Sequence, residues 1–374
     1  MKLHTDIPTH ADIDTLMKAR ERWCVSLYLP TSPESLGEAE RIELRNLAKE
    51  ALERLRALGA DKAECTAVEE QIAALEDDEL FWRYQARTLA IFATETSITT
   101  FRLPNRLARH LVVGDRFLVR PLLRAVTFPQ TAFVLELSQG SVRLLEILPD
   151  QGPEPVEVPH LPKDLESAVA STGTVADHAA VHRMQGGEGR KVRMRQFARA
   201  VYGALRHVLP ERGVPLILSA TEPLDSIFRS ICRYPDLTPE TIPLRAEPGD
   251  DVLLKDAREA LDRYYADQLR RLRELFDERA AQGRTVVDIA DAARLATIGA
   301  IDTLFFDMDR DVPGQVDEET GAVTFDESAD GPAYGVVDEI VKRVWLTGGR
   351  VLALRRPDVP GGGDVAAILR YALV

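Results

Sequence analysis

His182-Arg183-Met184-Gln185-Gly186-Gly187-Glu188-Gly189-Arg190-Lys191 runs without a break into Val192-Arg193-Met194-Arg195-Gln196-Phe197-Ala198-Arg199, and this stretch sets how the chain is organised around it. Three glycines, Gly186, Gly187 and Gly189, give a backbone free to take φ > 0 and to lie close against a ligand. A helix is predicted next, over about 192–209, with Phe197, Val201, Leu205 and Val208 as its core stripe and Arg195 and Arg199 on the other side. Val214-Pro215-Leu216-Ile217-Leu218-Ser219 then reads as a buried strand and Leu224 to Cys232 as a helix. Upstream, Ala132–Leu137 and Val142–Glu146 read as a hairpin turning through Gly140, followed by an irregular stretch rich in proline. Helices alternating with buried strands argue for a layered α/β sheet.

The same stretch is electrically unlike the rest of the chain. Between 182 and 207 there are seven Lys or Arg against one acid, Glu188, in a protein whose formal net charge is -13. A cationic island on an acidic body points to a polyanion, RNA or phosphate. With 374 residues, 45% hydrophobic and 29% charged, the chain has the composition of a globular protein too long for one core. No apolar run reaches the roughly 18 residues of a membrane span. Cys24, Cys65 and Cys232 are odd in number, far apart and set in apolar segments. They read as buried free thiols of a reducing cytoplasm.

Working outward, the first part opens on the apolar strand Trp23–Leu29, stopped by Pro30. An amphipathic helix comes next, carrying Ile42, Leu44, Leu47, Ala51, Leu55 and Leu58 and ending at Gly59. A second helix is expected over about 65–84, then strands at Thr88–Ala93, Ile98–Leu103 and Leu111–Val113, and the apolar run Phe117–Leu123 closes the unit. Arg102, Arg106, Arg109, Arg116, Arg120 and Arg124, with only Asp115 against them, offer this part a phosphate-binding face. The last part begins with a long helix over about 252–282, then a shorter helix, a strand at Thr303–Phe306, an acidic loop, a helix over Val336–Trp345, and strands at Arg350–Leu354 and Val365–Tyr371. The expectation is an α/β chain of three domains, 1–128, 129–248 and 249–374.

The order of these features resembles the bacterial relatives of the archaeal and eukaryotic class-I release factors, a superfamily that includes the Pelota-type ribosome rescue factors. The resemblance rests on Val25–Pro30, Leu44–Leu47 and Leu118–Leu123 in the first part, and on the Phe133–Leu144 hairpin and the glycine-rich stretch in the second. At the end of the chain it rests on Gly299–Leu304, Gly348–Val351 and Ala367–Tyr371. It implies a central release-factor-like domain and a C-terminal ribosomal-protein-like fold. In the family a Gly-Gly-Gln loop positions water against the peptidyl-tRNA ester. This chain is similar at Gly186-Gly187, but Glu188 stands where the glutamine would be, and Phe197-Ala198-Arg199 is displaced relative to the loop. An ionised carboxylate has no proton to donate, and its charge opposes a developing oxyanion. The resemblance therefore implies a loop that occupies its RNA site rather than hydrolysing there. Stop-codon reading is not expected, because the family's Asn-Ile-Lys-Ser element is missing.

The resemblance implies a cytoplasmic, ribosome-associated factor of rescue, quality control or hibernation, with the ribosome, its rRNA or a tRNA as partner and a translational GTPase as a further one. No cofactor is implied. The residues expected to meet RNA are Arg183, Gln185, Gly186, Gly187, Glu188, Gly189, Arg190, Lys191, Arg193 and Arg195.

Rival chemistries have their own residues. A peptidyl-tRNA or RNA hydrolase would use Glu188 as general base. Phe305-Phe306-Asp307-Met308-Asp309-Arg310-Asp311 delivers alternating acids from an apolar strand, as a Mg²⁺-dependent phosphatase at Asp307 and Asp309 would require. Val312 stands where a calcium loop needs glycine. The glycine stretch lacks P-loop spacing and has no Ser or Thr after Lys191. His178 and His182 lack a third metal ligand nearby.

Overall fold

The computed structural model describes residues 5–372 except 33, 36, 77, 129–130, 149–151, 173–186, 212, 246–248, 311 and 327–333; for 170–172, 187 and 188 it describes the backbone alone. These residues form two compact units. One spans 130–267, and the other combines 4–129 with 268–374.

In the first part of the chain, helix α1 (His10–Lys18) starts in a capping box formed by Thr9 and Asp12. Strand β1 (Cys24–Pro30) leads to α2 (Glu38–Ala57), α3 (Lys62–Ala73) and α4 (Glu79–Arg83). Where the spacing predicts one helix over about 65–84 there are two, because Asp78 caps a new one by accepting from the Phe81 amide. Strands β2 (Thr88–Ala93), β3 (Ile98–Leu103) and β4 (His110–Gly114) complete an antiparallel sheet in the order β3-β2-β1-β4. Both of its faces are covered, which is why β1 reads as an unbroken apolar run. Val25, Leu27 and Leu29 pack with Leu44, Leu47 and Leu55 of α2 and with Val68 and Ile72 of α3. Ile42 and Leu58, assigned to that stripe from sequence, are instead more than half exposed. The closing run Phe117–Leu123 turns helical at α5 (Arg120–Thr127), with Pro121 in its first turn where a missing N–H costs nothing.

The central unit is a mixed five-stranded sheet in the order β7-β6-β5-β8-β9. The predicted hairpin is β5 (Ala132–Leu137) and β6 (Val142–Ile147), extended by the short β7 (Glu154–Pro155). Helices α6 (Leu165–Thr172) and α7 (Gly187–Leu205) precede β8 (Leu216–Ala220), and α8 (Leu224–Ile231) precedes β9 (Leu237–Ile242). Strand β8 runs parallel to both β5 and β9. Helix α9 (Asp250–Ala281) begins in this unit, where Leu253, Ala257, Ala260 and Leu261 pack on Ala132, Val134, Leu145 and Ile217.

The last part contains β10 (Thr285–Val286), α10 (Ile289–Thr297), β11 (Ile301–Asp307), a two-stranded ribbon β12 (Gly314–Val316) and β13 (Val323–Phe325), α11 (Val336–Leu346), β14 (Arg350–Leu354) and β15 (Val365–Leu369). Their main sheet has the order β10-β15-β11-β14, with β11 parallel to β14 and antiparallel to β15. Its core is continuous with that of the first sheet. Tyr28, Phe92, Phe101 and Leu122 belong to the same buried cluster as Leu304, Phe306, Ile340, Val344 and Ala367. Shared burial of this kind is why 4–129 and 268–374 form one unit although about 140 residues separate them in sequence.

Candidate nucleic-acid interface

Helix α7 begins at Gly187, earlier than predicted, so the glycine-rich stretch is divided. Arg183, Gln185 and Gly186 lie outside the described residues, as do His178 and His182. Gly187, Glu188 and Gly189 form the first turn of the helix rather than a loop with φ > 0, which corrects the expectation for these three positions. Two glycines cost the helix roughly 1 kcal/mol each. The stripe behind them offsets this: Met194, Phe197, Ala198, Val201 and Leu205 are buried almost completely, and extending a helix already nucleated costs little. The predicted core stripe is therefore present, Val208 included.

The opposite face is cationic. Lys191, Arg195 and Arg199 are exposed at intervals of four residues, about 6 Å apart along the axis, and Arg206 and His207 are exposed just past the helix end. Among the described residues no carboxylate lies within ion-pair distance of Arg190, Arg195, Arg199 or Arg206. Arg193 is half-buried, and its Nε has no acceptor among the described residues.

Sequence reasoning found the β5–β6 hairpin but not that its tip borders this helix. The β5–β6 hairpin tip, Ser138–Ser141, lies beyond the carboxyl end of β5, and Arg190 Nη2 donates to Gln139 Oε1 at 3.1 Å. The Gln139 carbonyl in turn accepts from the Leu165 amide at 2.9 Å, so one residue links the tip, the start of α6 and the first turn of α7. A polar Ser-Gln-Gly-Ser turn carries no signal for such a role. The helix start thus sits near the carboxyl ends of the parallel strands β5 and β8, where open α/β sheets hold their ligands.

Of the six arginines expected to offer a phosphate-binding face in the first part, four are taken up by carboxylates of the same unit, while Arg106 is exposed. Arg109 bonds Glu43 at 2.8 Å and Glu50 at 2.6 Å, and holds the Glu50 carboxyl below its usual range. Arg116 bonds Asp115 at 2.9 Å and Glu339 at 3.0 Å, and its hydrogen bond lowers the Asp115 carboxyl likewise. Arg120 is buried, donating to Asp338 at 2.9 Å and to the Arg310 carbonyl at 2.7 Å. Arg124 faces Asp309 at 3.6 Å, and Arg102 donates to the Tyr84 carbonyl. Arg116, Arg120 and Arg124 recur every four residues, and all three are spent joining the first part to the last. Sequence alone cannot show this, because their partners lie about 185–225 positions away.

Asp307 is 4% exposed at the end of β11, accepting from the Asp309 amide at 3.1 Å. Among the described residues no three His, Cys, Asp or Glu side chains converge as metal ligands. A cavity of about 520 Å³ in the larger unit is lined by Asp115, Arg116, Tyr334 and Glu339, whose charges satisfy one another. Trp23, Trp82, Trp345 and the three cysteines are buried, and burial pushes the Cys24 thiol up to about 11. No helix among the described residues is long and apolar enough to cross a membrane.

The chain is a multi-sheet α/β protein whose central unit carries an exposed basic helix. Residues 129–267, nearly coincident with that unit, match the family model of Bacterial archaeo-eukaryotic release factor family 11. No curated protein matches the chain. Among solved structures it is similar to S. cerevisiae Dom34, a translation termination-like factor involved in RNA quality control, at 11% identity and a TM-score of 0.43, over 77% of this chain and 75% of that one. It is also similar to the archaeal translation termination factor aRF1, at 16% identity and a TM-score of 0.25, over 98% and 99%. For Archaeoglobus fulgidus Pelota the values are 12% and 0.30, over 98% and 93%.

Proposed function

We propose that this protein is a cytoplasmic translation factor that binds the ribosome through the central unit, with α7 and the residues before it laid against folded RNA. The observation that carries the reading is the exposed basic face of α7, where no described carboxylate pairs with Arg195 or Arg199, on a protein of net charge -13. The family match over 129–267 supports the same reading. Lys191, Arg195 and Arg199 meet phosphates, while Arg190 and Arg193 flank the helix start. Arg183, Gln185, Gly186 and Gly187 supply the approach to the RNA. With Glu188 in place of the family's glutamine, the factor occupies its site in rescue, quality control or hibernation instead of releasing peptide.

Co-sedimentation with ribosomes in low and high salt tests this. Binding is expected to be strong in low salt and to weaken steeply, because each phosphate contact releases counterions. Charge reversal at Arg195 and Arg199 together should weaken it strongly. Undiminished binding by that variant would remove the reading. Release of labelled peptide from stalled ribosomes, lost in Glu188→Ala, would instead establish a hydrolase.

A further inference from the structure

Outside the central unit, the carboxyl ends of the parallel strands β11 and β14 bring together arginines most of whose donors are unused among the described residues. Met308 N–H bonds the Leu354 carbonyl at 2.9 Å, so the residues next in line, Asp309-Arg310 on one strand and Arg355-Arg356 on the other, leave the sheet side by side. The chain returns through Pro360-Gly361-Gly362-Gly363, with left-handed φ of 78° and 67° at Gly361 and Gly362, which brings Asp364 beneath them. Asp364 Oδ1 lies 3.7 Å from Arg310 Nε and 3.8 Å from Arg356 Nη1. These distances give attraction without a hydrogen bond, and that carboxylate oxygen is buried with no hydrogen-bond partner among the described residues. One carboxylate therefore holds two guanidiniums on the same side while leaving their N–H groups available. Of the ten donors of Arg310 and Arg356, the described residues engage only Nε of Arg356, with the Gly362 carbonyl at 3.3 Å. Both side chains are more than half exposed, and Arg355 is exposed beside them. The other nearby acids among the described residues have contacts of their own. Asp309 faces Arg124, Asp358 bonds Arg273 at 2.6 Å, and Asp307 is buried below.

We infer that Arg310 and Arg356, held by Asp364, form a binding site for a phosphate group at the carboxyl edge of the C-terminal sheet. Two exposed guanidiniums drawn to one carboxylate oxygen, with most of their N–H groups unused among the described residues, can offer a tetrahedral oxyanion several hydrogen bonds at once. The position, beyond the carboxyl ends of parallel strands, is where α/β sheets place ligands. The phosphate comes either from a small molecule or from an RNA backbone.

The test uses the full chain and an Arg310→Gln/Arg356→Gln variant, whose fold is checked by its far-ultraviolet spectrum and melting temperature. Both are titrated with pyrophosphate and with a labelled 20-nucleotide RNA at low salt. Loss of two charged hydrogen-bonding groups should weaken binding by at least about tenfold, and Arg310→Lys should fall between the two, since it keeps the charge and loses the fork. Weakening toward both probes assigns the site to RNA, and weakening toward pyrophosphate alone assigns it to a small phosphorylated molecule. Equal binding of both probes by variant and parent overturns the inference. The Arg195/Arg199 variant of α7 serves as control, because its behaviour reports on the ribosome-binding reading and not on this site.

Discussion

Single residues show where this chain tolerates no change. Gly37, at φ 84° before α2, has Trp82 Cβ only 2.6 Å from the place a Cβ would occupy. Gly37→Ala combines a strained backbone with a clash in the core, and a loss of roughly 2–4 kcal/mol is expected in denaturant unfolding. The Arg120–Asp338 pair is buried on both sides, 9% and 6% exposed. Asp338→Asn leaves a buried guanidinium without its counter-charge and should cost about 3–5 kcal/mol, read by the same measurement. Exposed pairs act through pH. Arg109 lowers the Glu50 carboxyl and Arg116 lowers that of Asp115, so both groups titrate below their unfolded values. The stability they contribute is complete above the unfolded carboxylate range, near pH 4, and is lost as pH falls through the folded values. Melting temperatures taken from pH 5 to pH 3 should fall, and Asp115→Asn should flatten part of that slope.

At the scale of elements, the periodic signals are legible and the exceptions have physical causes. Strand β1, the β5–β6 hairpin and the core stripe of α7 follow from apolar spacing, which depends on neighbours within a few residues. The glycine stretch reads as a loop because glycine permits φ > 0, yet Gly187 and Gly189 are helical, since a stripe anchored by Phe197 and Val201 carries the helix back over them. Phe197→Ala should cost about 3–5 kcal/mol and loosen the cationic ridge with it, visible as faster amide exchange along α7. Charge reversal at the exposed Arg195 and Arg199 should leave the melting temperature nearly unchanged. The salt dependence of RNA binding should then fall by about 0.7–0.9 per contact removed.

For the whole molecule, the legible part is the α/β class and the order of most strands and helices along the chain. The common core of the first and last sheets is not legible, because no local pattern reports which of two distant apolar faces will meet. Phe306→Ala, at the centre of that core, should therefore lower the unfolding temperature of the first and last sheets together, as one transition in amide exchange. The arginines of the first part give a misleading signal for the same reason. Their count is plain in the sequence, while acids that engage three of them, Glu339 for Arg116, Asp338 for Arg120 and Asp309 for Arg124, arrive only in the last third.

That closure between the two ends imposes an order on biosynthesis. The central unit has all its strands once the chain has grown past β9 and the start of α9. The face of the first sheet bearing Tyr28, Phe92 and Phe101 must wait for Leu304, Phe306 and Ala367, most of a chain length later. During that interval a nascent polypeptide carries a greasy, half-finished layer behind a finished globule. It is the species on which chaperones and proteases would act, and stalled chains ending before β15 should be cut within the first sheet while 130–267 survives.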